Sequence, residues 1–124
     1  MSYSFSHIIN VVSAAENAEL EKVQRVTIES FRRAKRNLNP GVSVETVAVT
    51  DKNSTADVSF AERTAVLMRS VGDVSSFSAT RNLPIVSDIL DEGIKASSAD
   101  YIVFSNTDIA LTPWFYNTIA EYLK

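Results

Sequence analysis

The stretch ADYIVFSNTD (residues 99–108) joins a continuous apolar run to a polar end. The run from Tyr101 to Phe104 is typical of a strand that is covered on both faces of a sheet. Such strands belong to parallel sheets, and α/β proteins bind their ligands at the carboxyl ends of these strands. The sequence therefore predicts that ligand-binding residues follow Phe104.

A second short apolar run, IINVV (Ile8–Val12), is rich in β-branched residues and predicts a buried strand. Ser13 and Glu16 then form the pattern of a capping box at the start of a helix. A stripe with helical spacing follows, made of Leu20, Val23, Thr27, Phe31, Ala34 and Leu38. Asn39-Pro40-Gly41 is a signal that ends this helix.

The next stretch, VSVETVAVT (residues 42–50), predicts a second strand with Asp51 at its carboxyl end. Residues 51–64 are polar and irregular. Residues 65–71 are compatible with a third strand or with a short helix. Pro84 suits the first turn of a further helix.

That helix carries two adjoining apolar rows. One row is formed by Val86, Leu90 and Ile94, and the other by Ile85, Ile89 and Gly93. Because glycine has no side chain, Gly93 would let the helix lie close to a sheet. A last helix, from Trp114 to Leu123, is predicted with Thr112 as its cap and Pro113 at its start.

This alternation of strands and helices predicts an α/β fold: a Rossmann-like, three-layer α/β/α arrangement with a mostly parallel sheet. The length of 124 residues fits one domain, residues 1–124. We expect the strand at Tyr101–Phe104 to lie parallel beside the strand at Ile8–Val12.

Composition narrows the function classes. The formal net charge of −3 provides no broad positive surface for nucleic acid. Cysteine is absent, which excludes disulfides, thiolate zinc sites and cysteine nucleophiles. The first residues resemble neither a signal peptide nor a transmembrane segment, so a cytoplasmic location is the expectation.

Two further features receive structural interpretations. The basic run at residues 32–36 is expected on the solvated side of the first helix, where Glu21 precedes Arg25 and Glu29 precedes Arg33 by four residues. His7, the single histidine, precedes a strand without an evident acidic or serine partner, so we predict no catalytic role for it.

The polar end of the opening stretch carries the strongest site signal. Asn106 and Asp108 would present an amide oxygen and a carboxylate at the rim of the sheet, and Mg²⁺ and similar hard cations prefer such ligands. The alternative is an ordinary turn or a helix cap.

Residues 81–116, RNLPIVSDILDEGIKASSADYIVFSNTDIALTPWFY, resemble a stretch of family-2 and related GT-A glycosyltransferases, in which an Arg-Asn pair, a helix, a hydrophobic strand and an Asp-x-Asp motif follow in this order. The resemblance implies a nucleoside-diphosphate sugar as ligand, with Mn²⁺ or Mg²⁺ held by Asn106 and Asp108. It also implies nucleotide contacts, from Val12, Ser13, Asp51, Arg81 and Asn106. Among these, Asp51 would contact the nucleobase and Arg81 the diphosphate.

The chain departs from this family in three ways. Asn106 replaces the first metal-motif aspartate, Ser13-Ala14-Ala15-Glu16 replaces a Pro-x-x-Asn opening, and the acceptor half of the family's domain has no counterpart. The alternative function is therefore a truncated or degenerate non-catalytic module that binds a nucleotide or a protein. We expect little sugar transfer by this chain alone, and a homo-oligomer stays open.

Other α/β classes fit less well. A receiver domain needs an acidic pair after its first strand, and none is present. A P-loop or dinucleotide-binding fold needs clustered glycines, whereas Gly41, Gly72 and Gly93 stand alone.

Overall fold

The computed structural model describes residues 1–13, 17–74 and 83–124. Within these ranges the strands are β1 (Tyr3–Asn10), β2 (Val42–Asp51), β3 (Arg63–Leu67) and β4 (Tyr101–Ser105). The helices in the same ranges are α1 (Ala18–Arg36), α2 (Val71–Val74), α3 (Val86–Ala96) and α4 (Phe115–Tyr122). None of the described helices is both long enough and apolar enough to cross a membrane.

The strands form one parallel sheet in the order β3-β2-β1-β4, flanked by helices. Ile8 of β1 pairs with Val47 of β2 on one side and with Phe104 of β4 on the other, so the predicted neighbours are confirmed. The chain places β2 and β3 on one side of β1 and then returns to place β4 on the other. The winding therefore reverses between β1 and β4, which is where α/β sheets open a ligand crevice.

Alternate residues of β1 contribute to different parts of the core. Ile8 belongs to a buried cluster with Ile89 of α3, whereas Ile9 belongs to a second cluster with Phe31 of α1. Successive side chains of a strand point to opposite faces, so this separation follows from the pleat.

Gly93 has the close-packing role that its position predicts. A Cβ atom added there would lie 2.7 Å from Cδ1 of the buried Ile8, so α3 approaches β1 more closely than a side chain would allow.

Several element boundaries differ from the sequence prediction. Asn17, rather than Ser13, caps α1, because its Oδ1 accepts a hydrogen bond from the Leu20 amide at 3.0 Å. Glu16 lies outside the described residues. The third segment is a strand, but it begins at Arg63. The last helix begins at Phe115 after a cap residue, Trp114, whose side chain makes no capping bond, so the predicted Thr112 cap is wrong.

The expectation that β4 is covered on both faces is also wrong. Tyr101, Ile102 and Phe104 are 40%, 39% and 36% exposed. The strand order explains this result, because β4 lies at an edge of the sheet while α3 packs on β1, β2 and β3.

The ion pairs of α1 follow the prediction in part. Arg25 donates to Glu21 at 2.6 Å, as expected. Glu29 instead pairs with Arg32 at 3.4 Å and with Arg36 at 3.6 Å. Lys35, within the basic run, turns towards the sheet and contacts Glu62. The run is therefore engaged in local pairs, which agrees with its structural interpretation.

Candidate functional site

A cleft of about 270 Å³ opens at the carboxyl ends of β1, β2 and β3. Val11, Val12 and Leu67 supply apolar surface to its walls. The polar side chains that line it include Asn10, Ser13, Asp51, Asn53, Ser54 and Arg69. The cleft thus brings together Val12, Ser13 and Asp51, three of the residues predicted to contact a nucleotide.

The backbone that leaves β1 is held in place by Gln24 of α1. The Gln24 Oε1 atom accepts a hydrogen bond from the Val12 amide at 3.1 Å, and Nε2 donates to the Val12 carbonyl at 2.9 Å. Gln24 is buried, so the side chain acts as an internal clamp. The clamp fixes Val12 at the rim of the cleft before any ligand arrives.

Ser13 connects the end of β1 to the loop that follows β2. Its Oγ lies 3.1 Å from Oγ of Ser54 and accepts a hydrogen bond from the Thr55 amide at 2.9 Å. These partners are more than forty positions away in the chain. The loop and the strand end are therefore joined at the wall of the cleft.

Asp51 ends β2 and is exposed. Its carbonyl accepts a hydrogen bond from the Ser54 amide at 3.0 Å, which closes a turn. Within the described residues its carboxylate has neither a hydrogen bond nor an ion pair. The carboxylate is therefore available to accept hydrogen bonds from a ligand.

Arg69 is a residue of the cleft that sequence reasoning missed. Its Nε and Nη2 donate to the Asp88 carboxylate at 2.7 and 2.9 Å, a bidentate pair that raises the pKa of Arg69 and lowers that of Asp88. The Arg69 side chain is 55% exposed, and its guanidinium keeps donors beyond those used by Asp88. Its position just after β3 was the available signal.

Asn106 and Asp108 occupy the turn after β4, where the Asn106 carbonyl accepts a hydrogen bond from the Ile109 amide at 3.2 Å. Both side chains are exposed, and neither lines the cleft. One amide oxygen and one carboxylate are suitable ligands for Mg²⁺ or Mn²⁺, although they fill only part of a coordination shell. Across the described ranges no three His, Asp or Glu residues are grouped for a metal. Arg81 lies outside the described residues.

A larger cleft of about 500 Å³ lies between α1 and the loop after β2, and it shares Val12 and Ser13 with the first. Its arginines, Arg25 and Arg32, are both paired with glutamates of α1. The smaller cleft lies at the carboxyl ends of three parallel strands and brings together three of the predicted residues, so it is the better candidate site.

His7 is placed inside β1 and not before it, and its predicted lack of a serine partner is wrong. Its Nε2 lies 2.6 Å from Oγ of Ser105, and its Nδ1 lies 2.7 Å from the hydroxyl of Tyr116. The ring is fully buried and stacks on Phe31 at 4.3 Å between centroids. Burial, with the charge of Lys35 as a second cause, lowers the pKa of His7 to about 4.

A serine bonded to a histidine is the geometry of an activated nucleophile. A histidine with a pKa near 4 is a weak base at neutral pH, however. Tyr116, whose pKa burial raises well above its usual range, occupies the place of the acid that orients such a base. We interpret His7, Ser105 and Tyr116 as an uncharged hydrogen-bonded cluster that stabilises the packing of β1, β4 and α4.

The chain matches no protein-family model, and comparison with curated proteins and with solved structures finds no significant match.

Proposed function

We propose that this chain binds a nucleoside-diphosphate sugar at the carboxyl edge of its sheet, as the nucleotide-binding half of a GT-A-type glycosyltransferase with a three-layer α/β/α arrangement. One observation carries the proposal: Val12, Ser13 and Asp51, which lie far apart in the sequence, line a single cleft at the strand ends. Ligands of open parallel sheets bind at this edge, typically where the winding reverses; here the reversal lies between β1 and β4, next to the cleft at the ends of β1, β2 and β3.

Asp51 has the chemistry to recognise a nucleobase. Its carboxylate is exposed in the cleft and has no partner among the described residues, so it can accept N–H groups from a base such as uracil or guanine. The apolar surface of Val12 would pack against the nucleoside, and the Ser13 hydroxyl would stay within reach of the ribose. The Gln24 clamp orders this wall in advance, which lowers the entropic cost of binding.

The size of the cleft limits how much of the ligand it can hold. At about 270 Å³ it lies just below the usual range for small-molecule sites, roughly 300–1,000 Å³. A nucleoside fits such a volume, whereas the diphosphate and sugar would extend along the rim. The exposed guanidinium of Arg69 offers phosphate contacts at the cleft, and Arg81 is implied for the same role by the resemblance.

The proposed metal ligands are Asn106 and Asp108, at the end of β4 beside β1. When bound, Mg²⁺ or Mn²⁺ would act as a Lewis acid that offsets charge on the departing diphosphate. Asp108 supplies the charged oxygen of this pair and Asn106 a neutral one. The remaining coordination positions belong to water and to phosphate oxygens.

The neutral side chain of Asn106 favours a second candidate, a nucleotide-binding module without transfer activity. The two candidates share the nucleoside cleft and differ in their dependence on metal. Nucleotide binding that is insensitive to Mn²⁺ would support the module, whereas binding that Mn²⁺ strengthens would support the transferase half.

Calorimetric titration with UDP, GDP and ADP in the presence of Mn²⁺ tests the proposed function. We expect one base to bind best and Asp51→Asn to weaken it by about 10-fold or more, since a hydrogen bond to a charged group contributes roughly 1.5–3 kcal/mol. Asp57→Asn is the matched control, because Asp57 is an exposed aspartate of the larger cleft. If Asp57→Asn weakens nucleotide binding and Asp51→Asn does not, the binding site is the larger cleft. If the native chain binds none of the three nucleotides, the proposal is overturned.

A further inference from the structure

The edge strand β4 presents an apolar row that the described elements cover only in part. Ile102 and Phe104 lie on the same face of the strand, two residues apart, and are 39% and 36% exposed. Phe104 pairs with Ile8, over which α3 packs, but the main contacts of α3 are with β3, β2 and β1 and not with β4. The strand therefore combines unpaired backbone groups at its outer edge with partly exposed apolar side chains.

The two edges of the sheet differ in charge. β3, at the opposite edge, begins with Arg63 and is followed closely by Arg69, and both side chains are held in ion pairs. Charged side chains at an edge discourage pairing with another strand. Residues 101–107, in contrast, carry no charge. Of the two edges, only the one formed by β4 lacks this protection.

We propose that β4 pairs antiparallel with β4 of a second copy of this chain, around a two-fold axis at Val103. In this register Ile102 faces Phe104 of the second copy, and Tyr101 faces Ser105. The sequence is self-complementary in this arrangement, because apolar side chains meet apolar ones and polar groups meet at the two ends. The two sheets become one continuous sheet.

The self-pairing also covers the exposed row. Two Ile102 and two Phe104 side chains meet on one face beside the axis, where each copy alone exposes them to water. Aromatic and β-branched residues directly opposite each other are favourable cross-strand pairs. Asp100 of one copy comes opposite the Asn106 amide of the other, so a carboxylate meets a hydrogen-bond donor.

A second copy fits this edge better than a head-to-tail contact. Pairing of β4 with β3 of another copy would bring the uncharged strand against the edge that Arg63 and Arg69 flank, and it would leave free edges for an open filament. The two-fold contact closes on itself. The contact is short, five residues per strand, so we expect a weak dimer that dissociates on dilution.

Sedimentation analysis from micromolar to millimolar concentration tests the dimer. We expect a monomer–dimer equilibrium in the native chain and a dissociation constant raised at least tenfold by Ile102→Lys. Val66→Lys is the matched control, since Val66 is a β-branched, 46% exposed residue of the β3 edge, and it should leave the equilibrium unchanged. A native chain that stays monomeric at millimolar concentration overturns the proposal, as does a dimer that survives Ile102→Lys.

Cross-linking tests the register independently of that variant's folding. The chain has no cysteine, so single substitutions give unambiguous products. Mild oxidation should form a disulfide between two Val103→Cys copies, because this residue lies on the axis and a disulfide joins only directly opposite residues. Ile102→Cys should link to Phe104→Cys in a mixture and far less to itself. Equal linking of Val103→Cys and of Val66→Cys on β3 would overturn the register. The nucleotide cleft lies at the ends of β1, β2 and β3, so its tests stay separate.

Discussion

A methyl group on Gly93 of α3 would come within 2.7 Å of Cδ1 and 2.8 Å of Cγ2 of Ile8 on β1. Ile8 is fully buried between β2 and β4, so it has little room to move away. The separation of α3 from the sheet is therefore set by the absence of a side chain at position 93. The same contact determines how the helix covers β1, whose carboxyl end forms part of the cleft.

Gly93→Ala is expected to destabilise the protein. Alanine is favoured over glycine in a helix by about 1 kcal/mol, but overpacking a core costs roughly 1–3 kcal/mol, so the net loss should be about 1 kcal/mol. Urea denaturation measures the change. In an Ile8→Val background, which removes the nearest methyl group, Gly93→Ala should cost less. Strictly additive effects of the two substitutions would contradict the contact.

His7 should make the protein sensitive to mild acid. Its pKa is about 4 in the folded state and about 6.5 when unfolded, so between these values the unfolded chain binds more protons. The free energy of unfolding should therefore be unaffected by His7 above pH 6.5 and should fall as the pH drops from 6.5 towards 4. The predicted loss is about 3 kcal/mol, from roughly 1.4 kcal/mol for each unit of pKa difference.

Denaturation at several pH values, on the native chain and on two variants, tests this dependence. His7→Gln removes the titrating ring, and its stability should vary much less across this interval. Tyr116→Phe removes one hydrogen bond to the ring but keeps the buried imidazole, so it should lower stability by about 1 kcal/mol and retain the acid sensitivity. An unchanged pH dependence in His7→Gln would assign the effect to other groups.

Glu45 anchors a polar cluster on the strand β2. Ser6 donates to it at 2.5 Å, the Ser98 amide at 2.6 Å and Arg63 at 2.6 Å, and the carboxylate is 15% exposed. Burial alone would raise the pKa of Glu45, but these hydrogen bonds outweigh it and lower the pKa to about 2. The stabilisation is present above pH 4.5 and is lost as the pH falls towards 2.

Glu45→Gln should accordingly lower the free energy of unfolding by about 2 kcal/mol at pH 7, the value typical of a hydrogen bond to a charged group. The difference from the native chain should shrink below pH 4.5. Glu29→Gln, at an exposed helix position with surface ion pairs, should change stability by less than about 0.5 kcal/mol. A Glu45→Gln variant as stable as the native chain would show that the charge of Glu45 makes no net contribution to the free energy of unfolding.

The sequence predicts the regular parts of this fold because their signals are local. The β-branched runs locate β1 and β2, and helical spacing locates α1 and α3. The first residues of β1 are missed because Ser6 and His7 look like loop residues. They are buried only because Glu45, Ser105 and Tyr116, brought close by the fold, satisfy their polar atoms.

Part of the candidate site could also be predicted from the sequence. Val12, Ser13 and Asp51 follow from the rule that ligands bind at the ends of parallel strands, and the structure groups them. The place of Arg69 in the cleft could not be predicted, because it depends on where β3 ends. The segment around β3 has no hydrophobic periodicity that would locate this end. The exposure of β4 depends on strand order, which a hydrophobic run does not encode. The roles of Asn106 and Asp108 stay predictions.

The last prediction concerns metal and nucleotide together. One carboxylate and one amide oxygen leave most coordination positions to other groups, so Mn²⁺ should bind poorly alone and better with a nucleoside diphosphate. Binding coupling is reciprocal, so Mn²⁺ should raise nucleotide affinity by the same factor that the nucleotide raises metal affinity. A factor of about 5 to 150 is typical of such coupling.

Calorimetry of a nucleoside diphosphate with and without Mn²⁺, on the native chain and on Asp108→Ala, measures this factor. We expect the gain from Mn²⁺ in the native chain and its loss in Asp108→Ala, with metal-free affinity unchanged because Asp108 lies outside the cleft. Asp57→Ala, at an exposed aspartate of the larger cleft, should keep the gain. Equal affinity in all native and Asp108→Ala conditions would show that Asp108 is a turn residue and not a metal ligand.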